Sequence, residues 1–267
     1  MFRVKKIRVC LMAFLIILAG AGSVMRADQP QMAVLLYHHV IPAADNKSFL
    51  SNKYVLSRES FAAQMEFLYK NGYHTVSSGE LRSFLYEKKP IPPKSVMITF
   101  DDGYMSNYMF VYPILKQYGF KAVIFAITGN IQTMDQDYHP DILDMLSWMQ
   151  VAASSDVFEY GSHTNALHNI ANDQTGFMSA SMDSARADLL LSQRRIGNKK
   201  LFAYPSGQYS APLTDMIRYN GVDLAFTINK GYINQGSNPL LLNRVTVYSN
   251  YDLAAFESIV SCKYRYS

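Results

Sequence analysis

Apolar runs recur along the chain, and stretches with apolar residues spaced three and four apart separate them. The runs are Met32–Tyr37, Tyr73–Val76, Ser95–Phe100, Ala122–Ile127, Val157–Gly161, Lys200–Tyr204, Leu224–Ile228 and Leu241–Val247. Several are continuously apolar rather than alternating, the mark of parallel strands covered on both faces. The intervening pattern predicts helices. Ser60–Asn71 carries Phe61, Met65, Leu68 and Tyr69 on one face and meets Gly72 as a stop. Further helices are expected over Gly79–Glu87, Tyr108–Tyr118, Asp141–Ala153, Ser181–Arg195, Pro212–Asn220 and Asp252–Cys262. Seven or eight β-α units without a break predict an α/β barrel closed by parallel strands, with an open doubly wound sheet as the second choice. A barrel gathers its functional residues at the C-terminal ends of its strands.

The first 26 residues stand outside this pattern. Arg3, Lys5, Lys6 and Arg8 make a basic start, and Val9 to Met25 then carries no charge. Ala19-Gly20-Ala21 offers a small-x-small cleavage site. A secretory signal peptide is expected, with an uncleaved membrane anchor through residues 9–25 as the alternative. The protein is therefore expected to be exported, either secreted or anchored on the extracytoplasmic face. Residues 30–267 are expected to form one domain, since no internal repeat or low-complexity linker divides them.

Charge and cysteine content follow from that division. The chain of 267 residues has a formal charge of +4, but residues 1–26 hold five basic residues and no acidic one. The remainder balances 20 Lys and Arg against 21 Asp and Glu. The excess belongs to the leader, and no basic stripe argues for nucleic acid. Of the two cysteines only Cys262 lies beyond the leader, so no internal disulfide is available to the exported part.

The chemistry-bearing residues fall at strand ends. "MITFDDGY" takes an apolar strand into Asp101 and Asp102, with Gly103 and Tyr104 following. Adjacent carboxylates raise each other's pKa and are costly to bury without a cation. "EYGSHTNALHN" places His163 and His168 after the strand beginning at Val157. Neither one helix face nor one strand face presents residues five apart, so only a loop wrapping round a point would aim both at one centre. Two imidazoles and a carboxylate make a common open Zn2+ site. "LFAYPSGQYS" ends a strand in a turn at Pro205, Ser206 and Gly207. "LLYHHV" ends another with His38 and His39, and "LLNRVTV" sets Arg244 inside an apolar strand. A buried arginine needs an anion, and Asp101 is an available one. His74 and His139 are read as ordinary structural histidines.

"TFDDGY", "GSHTNALH" and "FAYPSG", in this order and spacing, resemble the polysaccharide deacetylases of carbohydrate esterase family 4, the NodB-like group. The resemblance runs from about Tyr37 to Val247, and Trp148 in "MLSWMQ" is similar as well. It implies a deformed (β/α)7-type barrel that removes N-acetyl groups from glucosamine polymers with a divalent metal, Zn2+ first. It implies Asp102, His163 and His168 as metal ligands and Asp101 as catalytic base. Pro205 and Ser206 would serve the oxyanion, with Tyr104 beside them on the substrate side.

The chain departs from the family pattern at Ala203, where many members carry arginine, and at Ser206, where an aromatic residue is common. It also has no histidine after His168 to act as the usual general acid. "LLYHHV" resembles the circularly permuted branch that deacetylates poly-β-1,6-N-acetylglucosamine. That branch implies His38 as general acid, with Arg244 in place of the missing arginine. Since adjacent strand residues face opposite sides, one of His38 and His39 is expected to point into the site. The alternatives are a peptidoglycan or chitooligosaccharide deacetylase and, in another class, a non-catalytic glycan-binding protein. Glycoside hydrolysis fits poorly, because its carboxyl pair stands ~5–10 Å apart across the sugar bond.

Overall fold

The computed structural model describes residues 31–198 and 200–265. The expected leader, residues 1–26, lies outside the described residues. In chain order, β1 (Ala33–Tyr37) is followed after His38 by β2 (His39–Ile41), which pairs in parallel with β3 (Val55–Ser57). Then come α1 (Arg58–Lys70), β4 (His74–Thr75), α2 (Ser78–Tyr86) and β5 (Ser95–Asp102). A wide helical turn at Asn107–Val111 leads into α3 (Tyr112–Tyr118), then β6 (Ala122–Ala126), α4 (Trp148–Ala153) and β7 (Phe158–Ser162). A small hairpin of β8 (Ile170–Ala171) and β9 (Gln174–Thr175) precedes α5 (Gly176–Ser179) and α6 (Met182–Ile196). The chain ends through β10 (Leu201–Ala203), α7 (Ala211–Tyr219), β11 (Leu224–Phe226), β12 (Val245–Thr246) and α8 (Leu253–Val260).

The main sheet runs β11–β10–β7–β6–β5–β1–β12, all parallel. Val96 pairs with both Ala33 and Thr75, so β1 and β4 occupy opposite edges of β5. The two ends of the path meet in one stretch of chain. Leu242 makes a parallel bridge to Phe226 of β11, and three residues later Val245 pairs with Leu35 of β1. The expected strand Leu241–Val247 is thus reduced to β12 because it changes partner midway. Arg244 lies just before β12, with its amide bonded to the Asn229 carbonyl. This closes a deformed barrel of the expected kind.

Alternation along the strands divides the core. Leu35, Ile98, Phe100 and Ile124 pack against Phe61, Met65 and Leu68 of α1 and Phe256 of α8. Val34, Met97, Val123, Phe125, Ala203, Phe226 and Leu242, drawn from around the ring, pack together and on Leu81, Phe84 and Leu85 of α2. Both sets are buried, which explains why the strands read as unbroken apolar runs. Side-chain caps fix the helix starts. Ser77 and Glu80 form a capping box on α2, and Ser147 and Gln150 form one on α4.

The helix expected over Asp141–Ala153 forms only from Trp148. Residues 144–146 are committed elsewhere, since Met105 N–H donates to the Asp144 carbonyl and Leu146 N–H to that of Gly103. A long-range pairing with the chain after β5 therefore overrides the local helical pattern. Among the described residues no helix is long and apolar enough to cross a membrane.

Candidate active site

The ends of β1, β5 and β7 and the loops beyond them surround one cavity of about 460 Å3. His38, Asp101, Asp102, Tyr104, His163, His168 and Ser206 all line it, so seven of the residues given a role from the sequence share one site. Pro205 and Arg244 do not line it. Pro205 is buried beneath the turn that sets Ser206 in a left-handed conformation, φ +50°. Arg244 is wholly buried and reaches the site through Asp101 alone, behind the cavity wall.

Both Asp101 and Asp102 belong to β5 as its last two residues. Asp102 adopts φ +72°, a conformation unusual outside glycine, and Gly103 continues it at φ +87°. This turn brings the Asp102 carboxylate to the two imidazoles. His163 directly follows β7, and Thr164 after it is also left-handed at φ +72°. A β-branched residue in that region marks a strained turn, of the kind that collects at functional sites.

The loop from His163 to His168 is held from two sides. Asp188 of α6 accepts from the Asn165 and Ala166 amides at 2.7 and 2.8 Å. Gly129 N–H donates to the Asn165 carbonyl, and a Cβ at Gly129 would meet that oxygen at 2.3 Å. Close approach therefore demands glycine there.

The three expected ligands converge. Their donor atoms lie within 4.8 Å of one another, and among the described residues they form the one such group. His163 Nε2 stands 3.1 Å from His168 Nε2, and Asp102 Oδ1 lies 3.8 and 3.5 Å from the two. Two donors held by one tetrahedral Zn2+ at about 2.0–2.1 Å would stand roughly 3.3 Å apart. The His163 Nδ1–H donates to the Ala203 carbonyl at 2.8 Å, since a carbonyl can only accept. That bond fixes the tautomer and leaves the Nε2 lone pair facing Asp102 and His168. Donor chemistry, spacing and tautomer all fit a divalent cation.

Electrostatics sort the remaining groups. Burial alone would raise the Asp101 carboxyl, but Arg244 overrides it, with help from His163, and holds it at about 2. Arg244 Nη1 and Nη2 donate to Asp101 Oδ1 and Oδ2, each at 2.7 Å. Burial, reinforced by the His168 charge, pushes His163 down to about 4 against the pull of Asp101 and Asp102. His163 is thus neutral at neutral pH, the form in which an imidazole can ligate a metal. Burial, then the Asp102 charge, pushes the Tyr104 phenol well up, so it remains a donor.

His38 packs edge-on against Tyr54 at 5.1 Å, and its Nδ1 is buried without a protein partner. The expectation that only one of His38 and His39 faces the site is corrected. The strand lapses at His38, which breaks the alternation, and both line the cavity. His39 is nevertheless buried, and its Nδ1 lies 2.9 Å from the Ser106 hydroxyl. His74 and His139 stay outside the cavity, paired with Glu80 and Asp144.

The polysaccharide deacetylase family matches residues 88–225, just over half of the chain. The chain belongs to that family. A poly-β-1,6-N-acetyl-D-glucosamine N-deacetylase of Staphylococcus aureus is 29% identical over 244 residues, 85% of this chain and 80% of its own. The solved structure of IcaB from Ammonifex degensii is 25% identical, with a TM-score of 0.72 over 88% of this chain and 98% of its own. The Streptococcus pyogenes deacetylase PplD, in complex with acetate, has a TM-score of 0.75 at 23% identity over 89% of this chain and all of its own, a likeness of fold.

Sequence reasoning missed several members of the deacetylase cavity. Asn52, Tyr54, Leu143, Ile228, Lys230, Tyr248 and Tyr251 line it from separate loops, and no motif links them. It also gave Ala203 no role, although the Ala203 backbone orients His163.

Proposed function

We propose that this chain is a metal-dependent N-deacetylase of an exported N-acetylglucosamine polysaccharide, poly-β-1,6-N-acetylglucosamine first, and that it releases acetate. One observation carries the reading: a buried, arginine-locked Asp101 lies beside the Asp102, His163 and His168 group at the floor of an open cavity. The resemblance to the S. aureus relative points to the polymer. The basic start and uncharged run of residues 1–26 support export, with residues 30–267 as the catalytic unit.

Asp102, His163 and His168 would hold a divalent ion, Zn2+ first. When bound, such an ion polarises an amide carbonyl and makes water more acidic near neutral pH. Asp101, kept ionised by Arg244, takes the proton of the attacking water. His38 faces the same cavity and gives a proton to the departing nitrogen, which leaves as an amine. The Tyr104 phenol and the backbone at Ser206, beside Pro205, are the donors for the developing oxyanion. Arg244 touches no substrate and acts as a positioning residue.

The test is acetate release by purified protein, with defined metals, from poly-β-1,6-N-acetylglucosamine, peptidoglycan and chitooligosaccharides. Release fastest from the first polymer is expected. Release only from one of the others moves the substrate. Glycan binding without release from any polymer would make the chain a binding protein and defeat the proposal.

A further inference from the structure

A file of tyrosine rings leads away from His38 along one wall of the cavity. His38 meets Tyr54 at 5.1 Å, Tyr54 meets Tyr248 at 5.5 Å, and Tyr248 meets Tyr251 at 5.4 Å. All three tyrosines line the cavity, although Tyr54 comes from the loop before β3 and the others follow β12. None is fully buried, and Tyr54 is 41% exposed. Tyr251 also packs against the hydrophobic core and on Tyr264, whereas Tyr54 and Tyr248 do not belong to that core.

The Lys53 ammonium lies 4.5 Å from the centre of the Tyr248 ring and 5.5 Å from that of Tyr54. Lys53 is exposed, and among the described residues no ion pair holds it. Among the described residues, Asp101 and Asp102 are the only carboxylates lining the cavity. Asp101 is neutralised by Arg244, and Asp102 is a ligand in the proposed metal group.

We propose that Tyr54, Tyr248 and Tyr251, together with Lys53, form a subsite for the acetylated sugar unit that adjoins the reacting one, and that Lys53 makes this subsite reject an already deacetylated unit. The electron-rich ring faces meet the C–H face of a pyranose, as they meet other partly positive edges. The successive rings are spaced on the scale of one sugar. An ammonium offers three donors and no acceptor. It suits the hydroxyl and acetamide oxygens of a neutral unit and repels a glucosammonium of like charge. The product of one turnover would then be a poor neighbour for the next, which spaces the deacetylated units along the polymer. This inference rests on the proposed N-deacetylase reading of the same cavity.

The experiment measures binding of an N-acetylglucosamine pentamer and of its fully deacetylated counterpart to metal-stripped protein, and in parallel acetate release by the metal-loaded protein. The parental protein is expected to bind the acetylated pentamer more tightly. Tyr248→Ala and Tyr251→Ala should each weaken that binding about tenfold and raise KM more than they lower kcat. Tyr219→Ala, on the exposed end of α7, should bind as the parent does. Lys53→Gln should narrow the preference for the acetylated pentamer by about three- to tenfold. Unchanged binding and KM in both alanine variants, with acetate still released, would overturn the subsite while the N-deacetylase reading stands. A preference that persists in Lys53→Gln would overturn the role of Lys53. If the parent binds neither pentamer and releases no acetate, the subsite and the N-deacetylase reading fall together.

Discussion

Arg244 clasps Asp101 through two parallel hydrogen bonds of 2.7 Å, from a side chain with no exposure to solvent. Its Nε donates to the Thr227 carbonyl, so the guanidinium is fixed from behind as well as in front. A planar fork suits this geometry and a lysine ammonium does not. Arg244→Lys should retain metal and lose at least tenfold in kcat.

Arg244→Met should go further, because it leaves a buried carboxylate unpaired at a cost of about 3–5 kcal/mol. The sign of the pH effect follows from the pairing. With Arg244 present the Asp101 carboxyl sits at about 2, below its unfolded value near ~3.9. Its contribution to stability is therefore full above ~3.9 and is lost as pH falls through about 2. Without the guanidinium only burial and the histidines act, and burial raises the carboxyl. The acid limb of the pH–rate profile should then move to higher pH in Arg244→Met. An acid limb unmoved from the parental position would contradict the pairing role.

Removing metal ligands should couple occupancy to activity. Alanine at Asp102, His163 or His168 should lower metal content and acetate release together. Zn2+ at a hundred times its Kd should raise the stability of the parental protein by about 2.7 kcal/mol. That gain should vanish in the His163→Ala, His168→Ala double variant. Full occupancy in the double variant, measured by elemental analysis, would sink the ligand assignment.

Much of this site was legible because each residue violates its surroundings. Asp101 and Asp102 end an apolar run, and Arg244 interrupts another, so burial pressure alone predicts that they meet. His163 and His168 were legible as a loop pair for the geometric reason that no regular element aligns them. Long-range pairing was not legible. The partner change between Leu242 and Val245 depends on where β11 and β1 lie in space. Likewise, the helix pattern over Asp141–Ser147 gives way to pairing with Gly103 and Met105. The tyrosine file escaped notice because Tyr54 and Tyr248 are almost two hundred residues apart and each is unremarkable locally.

His39 predicts how stability changes with pH. Burial lowers it to about 4, against the opposing pull of Asp144. An unfolded histidine titrates near ~6.5, so between that pH and about 4 the unfolded chain binds the extra proton. Stability from this residue is full above ~6.5 and falls as pH drops towards 4, with a slope of up to ~1.4 kcal/mol per pH unit. His39→Gln should flatten this part of the stability curve, as measured by denaturant unfolding of metal-stripped protein at pH 7, 6 and 5. An unchanged slope would mean that His39 is already protonated in the folded state.

His38 and His39 should separate in kinetics. An amide nitrogen is a poor leaving group until protonated, so a positioned acid is worth ~10²–10⁴ in rate. Asp101 starts ionised, held so by Arg244, and is assigned to the proton of the attacking water. His163 is oriented by Ala203 towards the ligand group, and His168 stands 3.1 Å from it. That leaves the two histidines after β1. Each has one buried ring nitrogen without a protein partner, Nδ1 of His38 and Nε2 of His39, but His39 is buried and held through its Nδ1 by Ser106, whereas His38 is half-buried. His38→Ala should therefore keep its metal and lose ~10²–10⁴ in kcat. His39→Ala should lower the melting temperature, because it empties a buried volume and strands Ser106, yet keep most of kcat. The assignment fails if His39→Ala proves the crippled variant, or if His38→Ala turns over within a few fold of the parental rate.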